Sequence, residues 1–340
     1  MRILGIETSC DETAAAVVED GRRVVSNVVV SQIDIHKEYG GVVPEVAARS
    51  HLEAMMPVVN KAVEEGGGWG AVDAIAVTNE PGLLGSLLVG TLAARTLAII
   101  RDKPLYGVNH VKSHIFASLL DNDAEIEFPA VAMVVSGGHT QILVMRDYGD
   151  IEVVGSTRDD AAGEALDKVA KILGLSYPGG LAIAEVARRG DASAVKLPIP
   201  RVEGLDFSFS GLKTAVLRAA QSAVGKGYDF PSSEIAGLMS EEMVADFAAS
   251  FERTVEEVLV GKLRKAVEEY GARTVILGGG VAANEGLREA VAGISNVRVL
   301  LPEVKYCGDN GAMVGGAGYF EILGGVQSVS PYEMRVRPTS

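Results

Sequence analysis

The chain opens on RILGIETSCDETAAAVV (residues 2–18), and at residues 131–146 it reads VAMVVSGGHTQILVMR. Each stretch is an apolar run, a turn of small and hydroxyl-bearing residues, and a second apolar run, the pattern of a β-hairpin with a polar tip. The first predicts strands over Arg2–Ile6 and Ala14–Val18 around a tip at Glu7–Thr13, closed beyond by Glu19-Asp20-Gly21. The return of the pattern about 130 residues later reads as an internal duplication. Each half continues with helical stretches and further short apolar strands, Ala74–Thr78 in one and Thr274–Leu277 in the other. Alternation of this kind predicts an α/β protein whose mixed sheets are covered by helices. Pro129, after the acidic stretch Asp121–Glu127, marks the boundary, giving lobes over 1–128 and 129–308. The remaining residues, 309–340, contain a helical stretch, Asn310–Leu323, expected to return to the first lobe.

Composition agrees with two folded lobes. A chain of 340 residues exceeds the size at which one core stops growing. With 48% hydrophobic and 22% charged residues it lacks the composition of long disordered tracts. Cys10 and Cys307 are far apart and fit no repeated metal-ligand spacing, so no disulfide framework is expected and a reducing compartment is the simpler reading. The first residues lack a basic segment followed by an apolar run, and apolar stretches such as Leu83–Ala94 are interrupted by Gly and Thr, so a cytoplasmic protein is expected. Lysine and arginine number 31 against 45 acids, a formal charge of −14 that opposes non-specific attraction to nucleic acid. An RNA substrate would therefore need local basic patches or a partner.

Three sets of residues point to chemistry. His110-Val-Lys-Ser-His114 places two of only five histidines four apart in a helical run, where they share one face and can share a metal. A carboxylate must complete such a site; Asp309, just before a small-residue helix, is a candidate, although its local sequence favours a helix N-cap. The tips Thr8–Thr13 and Ser136–Thr140 offer backbone N–H groups and hydroxyls to phosphate oxygens, although ordinary tight turns use the same residues. Asp11 and Glu12 would repel bare phosphate, which suits a metal bridge, a general base or orientation of an amine. In VILGGGVAAN (275–284) a strand runs into three glycines, letting a flat ligand approach the backbone, with Asn284 able to hydrogen-bond a base or ribose. Asp167, on the small-residue helix that follows Asp160, is placed to accept ribose hydroxyls or to be an exposed helical charge.

Taken in order, GIETSCDET, YGGVVPEVAARSH (39–51), NEPGLLGSLLVG (79–90), HVKSH, VSGGHTQ, DDAAGEALDKVAKILGLSYPGG (159–180), FSFSGLKTA, GGGVAANEGLR and CGDNGAM closely resemble the bacterial tRNA adenosine threonylcarbamoyltransferase family, formerly described as O-sialoglycoprotein endopeptidases. The resemblance spans essentially the whole chain. It implies the fold of actin, the sugar kinases and the chaperone ATPases (ribonuclease H-like): two duplicated actin-like lobes with a central nucleotide cleft. It further implies that His110, His114 and Asp309 bind one divalent metal, Fe2+ or Zn2+. Val135, Ser136, Gly137, Gly138 and His139 would cradle the phosphates or the carbamoyl group, and Asp167, Gly180 and Asn284 would meet ribose and base. The implied donor is threonylcarbamoyl-AMP, with ATP or another adenine nucleotide as a further occupant. The acceptor is the exocyclic amine of adenosine 37, 3′ of the anticodon, in tRNAs that read codons starting with A. A smaller paralogous subunit and a P-loop ATPase are the implied partners, and no membrane is involved. Asp11 and Glu12 are the expected catalytic acids, Asp11 taking the amine proton. Asn79-Glu80 stands where small residues are common before Pro-Gly, so that loop is expected to differ. Paired histidines also suit a metalloprotease, but Val111 stands where HExxH would place its glutamate. A non-enzymatic ATP-binding scaffold is the other alternative; histidine ligands speak against it, since such ATPases hold magnesium through carboxylates and water.

Overall fold

The computed structural model describes residues 1–338. Two compact units emerge: one of Met1–Phe128, Met145–Ile151 and the chain from Leu300 on, the other of Pro129–Val144 and Glu152–Val299.

The first unit is built on strands β1 (Arg2–Glu7), β2 (Glu12–Glu19), β3 (Arg23–Ser31), β4 (Ala74–Glu80) and β5 (Leu105–Asn109), in the order β3-β2-β1-β4-β5. β1 pairs antiparallel with β2, Gly5 opposite Ala16, and parallel with β4, Gly5 opposite Ala76. The first strand runs one residue further than the sequence suggests, so Glu7 ends the strand instead of opening the turn. Strands buried on both faces read as near-continuous apolar runs, and from Ile3 to Ile6 and from Ala14 to Val18 every residue is buried.

Two long helices, Pro44–Glu65 and Leu84–Arg101, cover one face; Val58, Val59, Ala62, Ala94 and Leu97 meet Leu4, Ile6, Val17, Ile75 and Val77 in the core. Leu84–Arg101 is longer and more continuously apolar than the interrupted stretch promised: among the described residues it alone has the length and composition to cross a membrane. Here it lays Leu87, Gly90, Thr91, Ala94, Leu97 and Ala98 against the sheet. The other face takes the helix Gly311–Leu323, and here the glycines matter. A Cβ on Gly5 would collide with the backbone of Gly311 and Gly315, and one on Gly311 would lie 2.5 Å from the backbone of Ala15 and Ala16. Missing side chains thus let the helix lie directly on β1 and β2, which brings its leading residues over the β1–β2 tip. Phe320 on this helix stacks between Phe116 and Tyr148, with centroids 5.1 and 4.8 Å away.

The second unit repeats the plan with β6 (Ala130–Val135), β7 (Thr140–Met145), β8 (Ile151–Ser156), β9 (Thr274–Gly278) and β10 (Arg298–Leu300), ordered β10-β9-β6-β7-β8. In both sheets the strand order is third, second, first, fourth, fifth, and the first strand pairs parallel with the fourth, Ala130 opposite Thr274 in this one. Helices Ala162–Ile172, Gly179–Ala187, Ser210–Ala223, Glu241–Tyr270 and Glu285–Ala292 belong to this unit.

Candidate metal and nucleotide sites

In the first unit the helix His110–Phe116 starts directly from β5, with the Asn109 side chain accepting from the Lys112 N–H at 3.1 Å as its cap. A start this abrupt puts His110 and His114 on one face over the sheet end, ring centroids 4.9 Å apart. Asp309 meets them from the front of the Gly311–Leu323 helix. Its Oδ1 lies 3.2 Å from Nε2 of His114 and 3.8 Å from Nε2 of His110. The N-cap is Asn310, whose Oδ1 accepts from the Met313 N–H at 3.0 Å, so the capping reading of Asp309 falls away.

One donor atom from each of the three residues lies within 4.8 Å of the others. A zinc or iron ion with bonds of roughly 2.0–2.2 Å needs donors about 3–3.5 Å apart, so small side-chain adjustments close the set. His114 makes the stronger argument for a cation. Both of its ring nitrogens are buried without a hydrogen-bond partner; the 3.2 Å approach to Asp309 is a charge contact without hydrogen-bond geometry. Such groups cost about 1–3 kcal/mol each unless something binds them. Two imidazoles and one carboxylate form a donor set that suits Fe2+ or Zn2+.

Behind the histidines lies a shell that sequence reasoning missed. Glu7 accepts from the Thr78 hydroxyl at 2.6 Å and the Ser9 N–H at 2.5 Å, and His110 Nδ1 is 3.2 Å from its Oε2. Burial opposes its charge, yet His110 and Thr78 together hold the Glu7 carboxyl below the usual carboxylate range. Burial likewise opposes a charge on His110, but Asp309 and Glu7 raise it to about 9. A positive charge is thus favoured at this point of the fold. The only sequence signal was a carboxylate directly following an apolar strand, at the first position of the turn.

The β1–β2 tip is held by a buried histidine. His51 donates from Nε2 to the Cys10 carbonyl at 2.9 Å, while its Nδ1 accepts from the Thr13 hydroxyl at 2.8 Å. Burial lowers the pKa of His51, in keeping with the neutral ring these bonds require. Asp11 and Glu12 follow Cys10 on this tip. Burial, and after it the Asp309 and Asp11 carboxylates, push Glu12 well above the carboxylate range, and Ser31 donates to it at 3.0 Å. Burial and Asp11 also push the Cys10 thiol up, away from reactive thiolate character.

In the second unit the tip after Val135 folds back on itself: the Ser136 N–H donates to the His139 carbonyl at 2.8 Å, and the His139 N–H to the Ser136 hydroxyl at 3.1 Å. Gly137 and Gly138 are exposed, with open space where a Cβ would stand. The Gly163 N–H donates to the Ser136 carbonyl at 3.2 Å, so the tip abuts the start of the Ala162–Ile172 helix, a favourable place for an anion. Asp167 Oδ1 accepts from the Gly179 N–H at 2.6 Å, which brings Asp167 beside Gly179-Gly180. Asn284 caps Glu285–Ala292 through the Leu287 N–H at 2.8 Å and donates to Glu252 Oε1 at 2.5 Å. Leu166, Glu252, Glu256, Val281, Asn284 and Leu287 line one recess; Glu252 and Glu256 carried no signal in the sequence. Gly279 has φ +90° and packs on the Val135 backbone, so its missing Cβ serves the close approach of the chain after β9 to the end of the neighbouring β6.

A model of the tRNA N6-adenosine threonylcarbamoyltransferase family matches residues 23–316. The protein of that name from Thermomicrobium roseum is 49% identical over 342 residues, covering 96% of this chain and 94% of its own length. The one from Symbiobacterium thermophilum is 51% identical over 330 residues, covering 96% and 93%. Among solved structures, HypF of T. kodakarensis is similar with a TM-score of 0.64 at 17% identity, covering 95% of this chain and 48% of that one. Component A of the Acidaminococcus fermentans (R)-2-hydroxyglutaryl-CoA dehydratase gives 0.52 at 16% identity, covering 95% and 99%. These last two show likeness of fold, and the duplicated sheets are those of the actin and sugar-kinase class. With the match covering most of its length, the chain belongs to the tRNA N6-adenosine threonylcarbamoyltransferase family.

Proposed function

We propose that this chain transfers the threonylcarbamoyl group of threonylcarbamoyl-AMP to the N6 amine of adenosine 37 in tRNAs reading codons that start with A, with a divalent ion, Fe2+ or Zn2+, held by His110, His114 and Asp309. The observation that carries the metal-dependent reading is His114, buried with both ring nitrogens lacking a hydrogen-bond partner beside Asp309. When bound there, the ion supplies Lewis acidity toward the carbamoyl carbonyl or the leaving phosphate. The amine attacks the carbamoyl carbon, the bond from that carbon to the phosphate oxygen breaks, and AMP leaves with the electron pair. Asp11 and Glu12 are assigned to the amine proton, both carboxylates standing on the β1–β2 tip within the reach of Asp309, whose charge, after burial, raises the Glu12 carboxyl above its ordinary range. Val135 to His139 are assigned to the donor's phosphate, where exposed glycines leave room, and Asp167, Gly180 and Asn284 to its nucleoside, with ATP or another adenine nucleotide competing there.

A smaller paralogous subunit and a P-loop ATPase complete the proposal as partners. Leu84, Leu88 and Leu92, one turn apart, and Leu52 and Met56 on the neighbouring helix are all exposed, an apolar stripe that suits a helical partner. The test is threonylcarbamoyl transfer by the purified chain, alone and with such partners, to unmodified tRNA from synthetic threonylcarbamoyl-AMP, against a glycoprotein substrate in parallel. Cleavage of the glycoprotein without modification of tRNA would replace the transferase reading by a protease.

A further inference from the structure

We propose that Glu7 is a positioning residue for the metal centre: it fixes His110 in the Nδ1–H form, so that the Nε2 lone pair faces Asp309 and the ion. The inference rests on the metal-site reading above.

Glu7 is fully buried at the end of β1. One of its oxygens takes the Ser9 N–H at 2.5 Å, a group that can only donate. Its other oxygen takes the Thr78 hydroxyl at 2.6 Å and faces His110 Nδ1 at 3.2 Å. A carboxylate surrounded in this way has no proton of its own to offer, so the imidazole must be the donor. With one proton held on Nδ1 by Glu7, Nε2 is the nitrogen whose proton is free to leave in favour of a bound cation, and Nε2 is the atom 3.8 Å from Asp309. Ser9 Oγ, 3.1 Å from Nδ1, shares the same ring edge and restrains ring rotation. A ligand histidine backed by a carboxylate is both better oriented and more electron-rich, and loss of the backing group typically costs about 10–100-fold in metal affinity. The alternative is that Glu7 only ties β1 to β4 through Thr78 and closes the turn at Ser9.

Affinity for Co2+ and Zn2+, measured on the metal-stripped full chain by competition with a chromophoric chelator, separates the two, with the Co2+ ligand-field spectrum as a second readout. Glu7→Gln keeps the shape and is expected to weaken binding by about 10–100-fold and to shift the Co2+ bands. Thr78→Val removes a donor from the same carboxylate without touching His110 and is expected to cost thermal stability while leaving affinity within about threefold of the parent chain. Should the Gln variant not fold, Glu7→Asp withdraws the charge by one methylene and is read in the same way. Equal affinities in the Glu7 and Thr78 variants, with unshifted Co2+ bands, would overturn the proposal. His114→Ala serves as the control: if it bound metal as tightly as the parent chain, the metal-site reading itself would fail, whatever Glu7 does.

Discussion

His114 sits where a histidine without a ligand has little reason to be. Its ring is buried, neither nitrogen finds a donor or acceptor, and Asp309 stands 3.2 Å away. A structural histidine in this fold looks different: His51 satisfies both nitrogens with Cys10 and Thr13. Replacing His114, His110 or Asp309 by Ala is therefore expected to lower metal affinity by at least about 100-fold while leaving the far-ultraviolet circular dichroism unchanged. Elemental analysis after gel filtration checks this, and stoichiometric metal in the triple variant would refute the ligand set. The histidine pair was legible because a four-residue spacing is a local property of a helix. Asp309 was not decidable locally, since its neighbour Asn310 competes for the cap and only the fold shows that Asn310 takes it. Glu7 was invisible for a related reason: its meaning lies in His110, 103 residues away.

Between residue and molecule, the helix Gly311–Leu323 is the element on which the metal site depends, because its closeness to β1 sets where Asp309 stands. Gly5→Ala would drive a methyl group into the backbone of Gly311 and Gly315, which no rotamer change can relieve. Overpacking of this kind costs roughly 1–3 kcal/mol, and the helix must lift. The expected result is a drop in midpoint denaturant concentration together with weakened metal binding. A stability loss with unchanged metal affinity would show that Asp309 does not depend on this contact.

The helix Glu241–Tyr270 supports a pH prediction. Burial, and after it Glu252 and Glu289, push Glu256 up to about 7 from an ordinary 4.5. Between those values the folded chain holds a proton that the unfolded chain releases, so stability falls as pH rises and the loss is complete above about 7. Each pKa unit corresponds to about 1.4 kcal/mol, and solvent access to this half-buried group reduces the total to on the order of 1 kcal/mol. Glu256→Gln is expected to gain about that much stability at pH 8.5 and nothing near pH 4, by urea unfolding at both values. Equal gains at the two values would exclude the ionisation as the cause. At this scale the duplicated hairpins could be read from alternating apolar runs and turns, which are short-range signals. The shared strand order could not, because the parallel pairing of β1 with β4 and of β6 with β9 joins segments separated by about 70 and 140 residues. Asn79 and Glu80, which the sequence suggested lie in a loop, instead end β4, where Asn79 donates to the Arg335 carbonyl at 2.9 Å and Glu80 pairs with Arg337 at 3.1 Å, so this pair anchors the segment around Arg335–Arg337.

For the whole molecule, the formal charge of −14 must be reconciled with a polyanionic substrate. Affinity for nucleic acid comes largely from counterions released as lysines and arginines neutralise phosphates. Of the basic clusters in the sequence, Arg188-Arg189 and Lys262, Arg264 and Lys265, three side chains are already engaged. Lys262 donates to the carbonyls of Val202 and Gly204 at 2.6 and 2.7 Å, Lys265 reaches Gly204 at 3.4 Å, and Arg188 pairs with Glu285 at 3.1 Å. Freeing them for phosphate would sacrifice these bonds. The isolated chain is therefore expected to bind tRNA weakly, with a shallow dependence on salt, and to turn over poorly. Addition of the proposed paralogous subunit and P-loop ATPase is expected to tighten binding at least about tenfold and to steepen the salt dependence, since phosphate contacts supplied by the partners release further counterions. Fluorescence anisotropy of labelled tRNA across a salt series, with and without the partners, measures both quantities. Tight binding with a steep salt slope by the chain alone would show that its own surface carries the phosphate contacts and would remove the need for a composite one.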